Sequence, residues 1–146
     1  MIIFYKSIKY LSPFKTRSPK NSFIFVEPMI TQDQLKDISA RIEKLKSYLA
    51  IDQKLIEIAN EEEKTVNPDF WNDPKAAEVL MKKIRNKKFW IDGYESVKVQ
   101  VDDLKVLMDF HEMGEVSEAE IDEQYRVTLE NFEEIEFKNM LSAEED

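Results

Sequence analysis

After Pro74 this chain runs 72 residues to its last without another proline, and Gly93 and Gly114 are its only glycines. Proline removes a backbone donor and clashes inside a helix, while glycine supplies the positive φ that tight turns require. A chain with so few of either has few places to reverse, and long stretches in which nothing stops a helix. The apolar spacing agrees. Leu35, Ile38, Ile42, Leu45 and Leu49 recur at three and four residues, within an arc of roughly 80° on a helix and with the period of a coiled-coil seam. The reading is an all-α fold: a long antiparallel helical hairpin with two shorter N-terminal helices packed on it.

Thr31-Gln-Asp-Gln34 has the form of a capping box, so helix one is expected over Thr31–Leu49. Asp52 interrupts the seam, and a second helix follows over Asp52–Lys64, with Leu55, Ile56 and Ile58 as a looser apolar cluster. The segment from Pro68 to Pro74 forbids a continuous helix, because each proline lacks an N–H and restricts the residue before it. Asp73 is placed as N-cap with Pro74 at the first helical position. Phe70 and Trp71, bracketed by these residues, are expected as a buried aromatic plug across the helix ends. Beyond Pro74, Ala77, Leu80, Ile84 and Ile91 make one apolar face, and Trp90, Tyr94, Val97, Val101, Leu104 and Met108 a second, rotated by about 100°. The helix is therefore expected to change partners near Gly93. Gly114 reads as its left-handed stop, Ser117–Glu120 as a second capping box, and Ile121, Tyr125, Leu129, Phe132 and Ile135 as the inner face of the returning helix.

Charge divides the chain at Met29. Residues 1–28 hold five cations and one carboxylate, for +4, whereas 29–146 hold 16 cations and 29 carboxylates, for −13. The first part reads as a leader, either disordered or upstream of a true start at Met29, and its Arg/Ser/Lys mixture faintly resembles an organelle transit peptide. Its apolar runs are broken by Lys6, Lys9 and Lys15, too short for a secretory core or a membrane span. Residues 29–146 read as one helical domain. An acidic body suits basic protein surfaces better than phosphate backbones.

Catalytic chemistry finds little to work with. There is no cysteine, hence no disulfide, thiolate metal site or cysteine nucleophile. Two glycines cannot build a phosphate cradle. His111, the single histidine, sits where a helix is expected to end, and the dipole favours a cation there. The paired carboxylates at Glu61–Glu63, Glu133–Glu134 and Glu144–Glu145 read as solvated faces, and no serine has an identifiable base. No enzyme, cofactor, metal site or small-molecule ligand is expected. Lys82, Lys83, Arg85, Lys87 and Lys88 form the one basic cluster in the body. They wrap about three quarters of a helix, which favours a solvated face over a groove-tracking stripe, although they are also the residues offered for contact with RNA.

The stretch from Arg41 to Ile84, with Tyr48-Leu49, Asp52 and the turn Pro68-Asp-Phe-Trp-Asn-Asp-Pro74, together with Phe137–Ser142, resembles the N-terminal helical domain of the bacterial peptide chain release factor 2 family. The resemblance covers about Thr31 to Asp146. It implies a helical domain that meets the ribosome near the stalk base, communicates with the class II release factor GTPase, and works in the cytoplasm in termination at UGA and UAA codons. That family reads codons and hydrolyses peptidyl-tRNA in later domains, with a tripeptide loop and a Gly-Gly-Gln loop. No Gly-Gly-Gln occurs here, and Ser12-Pro-Phe14 lies in the leader. The resemblance thus implies a truncated or split product, with a programmed frameshift near Tyr48-Leu49 a feature of the family that amino acids do not reveal. It implies contact rather than catalysis. The competing reading is a free-standing acidic helical adaptor for protein–protein interaction.

Overall fold

The computed structural model describes residues 30–145, with side chains to Glu144; the leader and the question of its start lie outside them. The order is α1 (Gln32–Tyr48), α2 (Ile51–Thr65), a 3-10 turn (Pro68–Asn72), α3 (Pro74–Glu112) and α4 (Glu118–Glu145). No strand occurs among the described residues. Among the described residues no helix is long and apolar enough to cross a membrane.

Each boundary has a chemical cause. Thr31 Oγ1 accepts from the Gln34 N–H at 3.2 Å, and Gln34 Oε1 accepts from the Thr31 N–H at 2.8 Å, so both halves of the first box are made. Ser117 and Glu120 repeat the arrangement before α4, at 3.3 Å and 3.1 Å. Asp73 Oδ1 accepts from the N–H groups of Lys75 and Ala76, both at 3.1 Å, and Pro74 opens α3. At the far end of α3, Gly114 adopts φ +81°. The N–H of Glu115 donates to the Phe110 carbonyl and that of Gly114 to the His111 carbonyl, the paired bonds of a Schellman stop.

The 39 residues of α3 make a rod of about 58 Å. Along it lie α1 and α2, end to end, both antiparallel to it. Lys87 of α3 bridges Glu57 and Glu61 of α2, so α2 covers the first half of the rod. The second half is covered by α1 and α4. Asn131 bonds Gln100 at 3.0 Å and Lys138 lies 5.7 Å from the Phe89 ring centre, so α4 runs antiparallel to α3. Contacts of Ile30 with Asp122 and of Arg41 with Glu136 place α1 parallel to α4. The expected hairpin is thus α3 with α4, and the two shorter helices pack on it.

The expected exchange of partners along α3 takes place without a break in the helix. Ala77, Ile84 and Ile91 are buried in the first half, and Tyr94, Val97, Val101, Leu104 and Met108 in the second. Gly93 faces α4 closely: a Cβ there would collide with Ile135 Cδ1. Ile38, Leu45, Leu49, Leu104, Ile121 and Phe132 fill the three-helix core. Over the Phe132 ring sits the Arg41 guanidinium, 4.6 Å from its centre, and the same group bridges Glu136 at 2.8 Å.

One local feature departs from the sequence reading. Leu55 and Ile56, expected with Ile58 in a second apolar cluster, are exposed, and α2 is buried instead through Ile51 and Ile58. The reason is Ala50, which takes φ 50°, ψ 48° and rotates the apolar face of α2 relative to that of α1. Its left-handed backbone ends α1, its carbonyl accepts from the Lys54 N–H to begin α2, and Lys54 Nζ donates to the Leu49 carbonyl left open by the break.

Candidate functional site

The turn and the basic cluster, close together in sequence, occupy the half of the molecule built from α2 and the start of α3. Asn67 begins the turn, its side-chain oxygen accepting from the Asp69 N–H at 2.9 Å. Asn72 donates to Asp69 at 3.3 Å, which holds the short helical loop closed on itself. Phe70 and Trp71 meet edge to face, 4.9 Å between ring centres and 86° between planes.

These rings do not form a buried plug. Trp71 is 54% exposed and Phe70 half-buried, and no residue of the turn is buried. A five-residue 3-10 turn at the end of the molecule has only the last turn of α2 and the first of α3 to pack on, with no third helix to cover it. The indole therefore lies along α2, donating from Nε1 to the Thr65 carbonyl at 3.1 Å, with its other face in solvent. Val66 and Val79 are exposed at the same end. Pro68, Asp73 and Pro74 take the turn and capping positions expected of them.

The five cations divide into two groups. Lys87 is largely buried and reaches Glu57 Oε2 and Glu61 Oε1, both at 2.8 Å; Lys88 pairs with Glu62 at 2.7 Å. Both therefore tie α3 to α2. Hydrogen bonds to Glu57 and then Glu61 raise the Lys87 pKa above the usual lysine value. The reciprocal bond from Lys87, followed by one from Gln53, holds the Glu57 carboxyl below the usual glutamate range. The second oxygen of Glu61 is buried without a hydrogen-bond partner, so this carboxylate relies on Lys87 for its compensation. Lys82, Lys83 and Arg85 are exposed and make no ion pair among the described residues. The structure thus leaves three cations on the surface without an acidic partner among the described residues, and uses the other two to tie α3 to α2. Glu61, expected with Glu63 on a solvated face, is instead turned in to Lys87 with its side chain 15% exposed, and its four-residue spacing from Glu57 places both carboxylates on one face of α2.

His111 lies in the last turn of α3. Its Nδ1 is 2.8 Å from the Val116 carbonyl, which fixes the proton on that nitrogen and ties the loop to the helix end. The paired carboxylates do not converge: no group of three or more His, Cys, Asp or Glu side chains able to hold a metal ion occurs among the described residues.

No protein-family model matches the chain. It does resemble curated proteins. The peptide chain release factor 2 of Streptomyces avermitilis is 28% identical over 116 residues, 78% of this chain and 32% of that protein. The peptide chain release factor 2 of Paramagnetospirillum magneticum is 31% identical over 114 residues, 76% of this chain and 30% of that one. That of Listeria innocua is 22% identical over 113 residues, 76% and 31% of the two chains. The chain is similar to peptide chain release factor 2 over most of its own length, and spans about a third of the length of these relatives.

Proposed function

We propose that this chain is a release-factor domain of translation termination, corresponding to the N-terminal helical portion of a peptide chain release factor 2 that directs termination at UGA and UAA codons in the cytoplasm. By itself it is a handle. It contacts the ribosome near the stalk base and the class II release factor GTPase, and hydrolyses nothing. The observation that carries this reading is the similarity to peptide chain release factor 2 over 116 residues, about the extent of the helical bundle. Support comes from charge, since a body of −13 is drawn to basic ribosomal protein. The free cations Lys82, Lys83 and Arg85 are the residues proposed for contact with ribosomal phosphate; Lys87 and Lys88, paired within the bundle, contribute less.

A reconstituted termination reaction tests this. Added alone to ribosomes stalled at a UGA codon, the chain is expected to release no peptide; added in excess, it slows release by a complete release factor 2. Unaided peptide release refutes the non-catalytic reading. The absence of any competition favours the alternative, a free-standing helical adaptor.

A further inference from the structure

We propose that the outer face of α3 between Asp92 and Met113 is a docking surface for a basic, apolar-studded segment of a partner protein. Val99, Val106, Phe110 and Met113 are 55%, 48%, 42% and 63% exposed. Single exposed apolar residues are ordinary. These four fall within an arc of about 60° on one helix and extend about 21 Å along it. They lie opposite Val97, Val101, Leu104 and Met108, the residues by which α3 enters the core. Such spacing makes a second seam with no helix of the described residues against it.

The rim of the seam states the partner's charge. Asp92, Glu95, Asp103 and Asp109 are exposed on or beside it, and none forms an ion pair among the described residues. The lysines of the same stretch, Lys98 and Lys105, are both drawn aside to Asp102, at 2.7 Å and 3.2 Å. An apolar stripe edged by four uncompensated carboxylates repels nucleic acid and anionic lipid. It equally opposes a second copy of itself, which would set like charges face to face. What remains is a cationic segment carrying apolar side chains at helical spacing, laid alongside α3. This deepens the ribosome-contacting reading and rests on it only for where such a partner is met.

The test uses the full chain and a fluorescein-labelled synthetic helix of leucine and lysine with an apolar seam. Fluorescence anisotropy is expected to show saturable one-to-one binding. The double variant Val106→Asn/Phe110→Ser, which alters exposed side chains and no charge, is expected to weaken it by about tenfold or more. The control Glu63→Gln/Glu78→Gln, which removes exposed carboxylates at the opposite end, is expected to leave affinity within about twofold. Equal weakening in both variants would reveal diffuse attraction and overturn the proposal. So would binding about tenfold tighter by a chain beginning at Met29, since residues 1–28 would then be the natural occupant. Ribosome co-sedimentation of the unaltered chain separates the two ideas: if it persists while the peptide fails to bind, the docking surface falls and the termination reading stands.

Discussion

Ala50 adopts a conformation that side chains other than glycine rarely hold. A left-handed residue with a Cβ costs roughly 1–2 kcal/mol, and the cost is borne because the break at Ala50 lets Leu49 and Ile51 both bury fully. Ala50→Gly is therefore expected to raise stability by about 1 kcal/mol, read from urea unfolding, although glycine is ordinarily the poorer residue within a helix. Trp71 behaves in the opposite sense to its size. Half its surface is in water and its hydrogen bond is single, so Trp71→Ala is expected to lower stability by about 1 kcal/mol. A loss above about 3 kcal/mol would mean an enclosed ring. Lys87 carries a pH dependence with two limbs. Because its folded pKa is raised, its contribution is present below the unfolded lysine value and lost as pH rises through the folded one. Because the Glu57 pKa is lowered, its contribution is present above the unfolded glutamate value and lost as pH falls through the folded one. At neutral pH Lys87→Ala is expected to lower Tm more than Lys88→Ala, whose ion pair is exposed. The difference should shrink as pH falls through the lowered Glu57 value.

At the scale of elements, the contact between α3 and α4 is set by the missing Cβ of Gly93. Gly93→Ala improves helix propensity by about 1 kcal/mol but drives a methyl into the buried end of Ile135, where overpacking costs about 1–3 kcal/mol. A net loss of stability is expected, and Gly93→Ala/Ile135→Val is expected to recover most of it. Additive losses in the double variant would mean that the two residues do not meet. The elements themselves were legible in the sequence. Both capping boxes, the Asp73–Pro74 start and the Gly114 stop are local hydrogen-bonding signals that need no tertiary context. The partner exchange along α3 was legible too, since two apolar faces rotated by about 100° cannot address one neighbour. The break at Ala50 was not, because alanine is the best helix former and no residue type announces a left-handed alanine. The burial of Trp71 was misread for a different reason. Sequence shows that a turn must exist between two prolines, but not that it stands at an end of the bundle with only two helices beside it. The Lys87 node was equally hidden, since pairing across 26 and 30 residues depends on how α2 lies against α3.

As a whole, the molecule is unevenly covered. Two helices, α1 and α4, flank the second half of α3, while the first half is covered by α2 and reached by α4 at Phe89. Amide hydrogen exchange is accordingly expected to be slowest over Tyr94–Met108 and faster by an order of magnitude or more over α2 and Pro74–Ile91. The exposed aromatic turn and the three free cations would then belong to the more yielding end, and the acidic seam of α3 to the firmer one. This division suits a domain that presents surfaces to a large assembly. Co-sedimentation with purified 70S ribosomes halted at a UGA codon tests that role most directly. The chain is predicted to pellet with the ribosomes at moderate salt, to be released as salt rises, and to lose occupancy when Lys82, Lys83 and Arg85 are reversed to glutamate. A folded chain that stays in the supernatant at every salt concentration would contradict it.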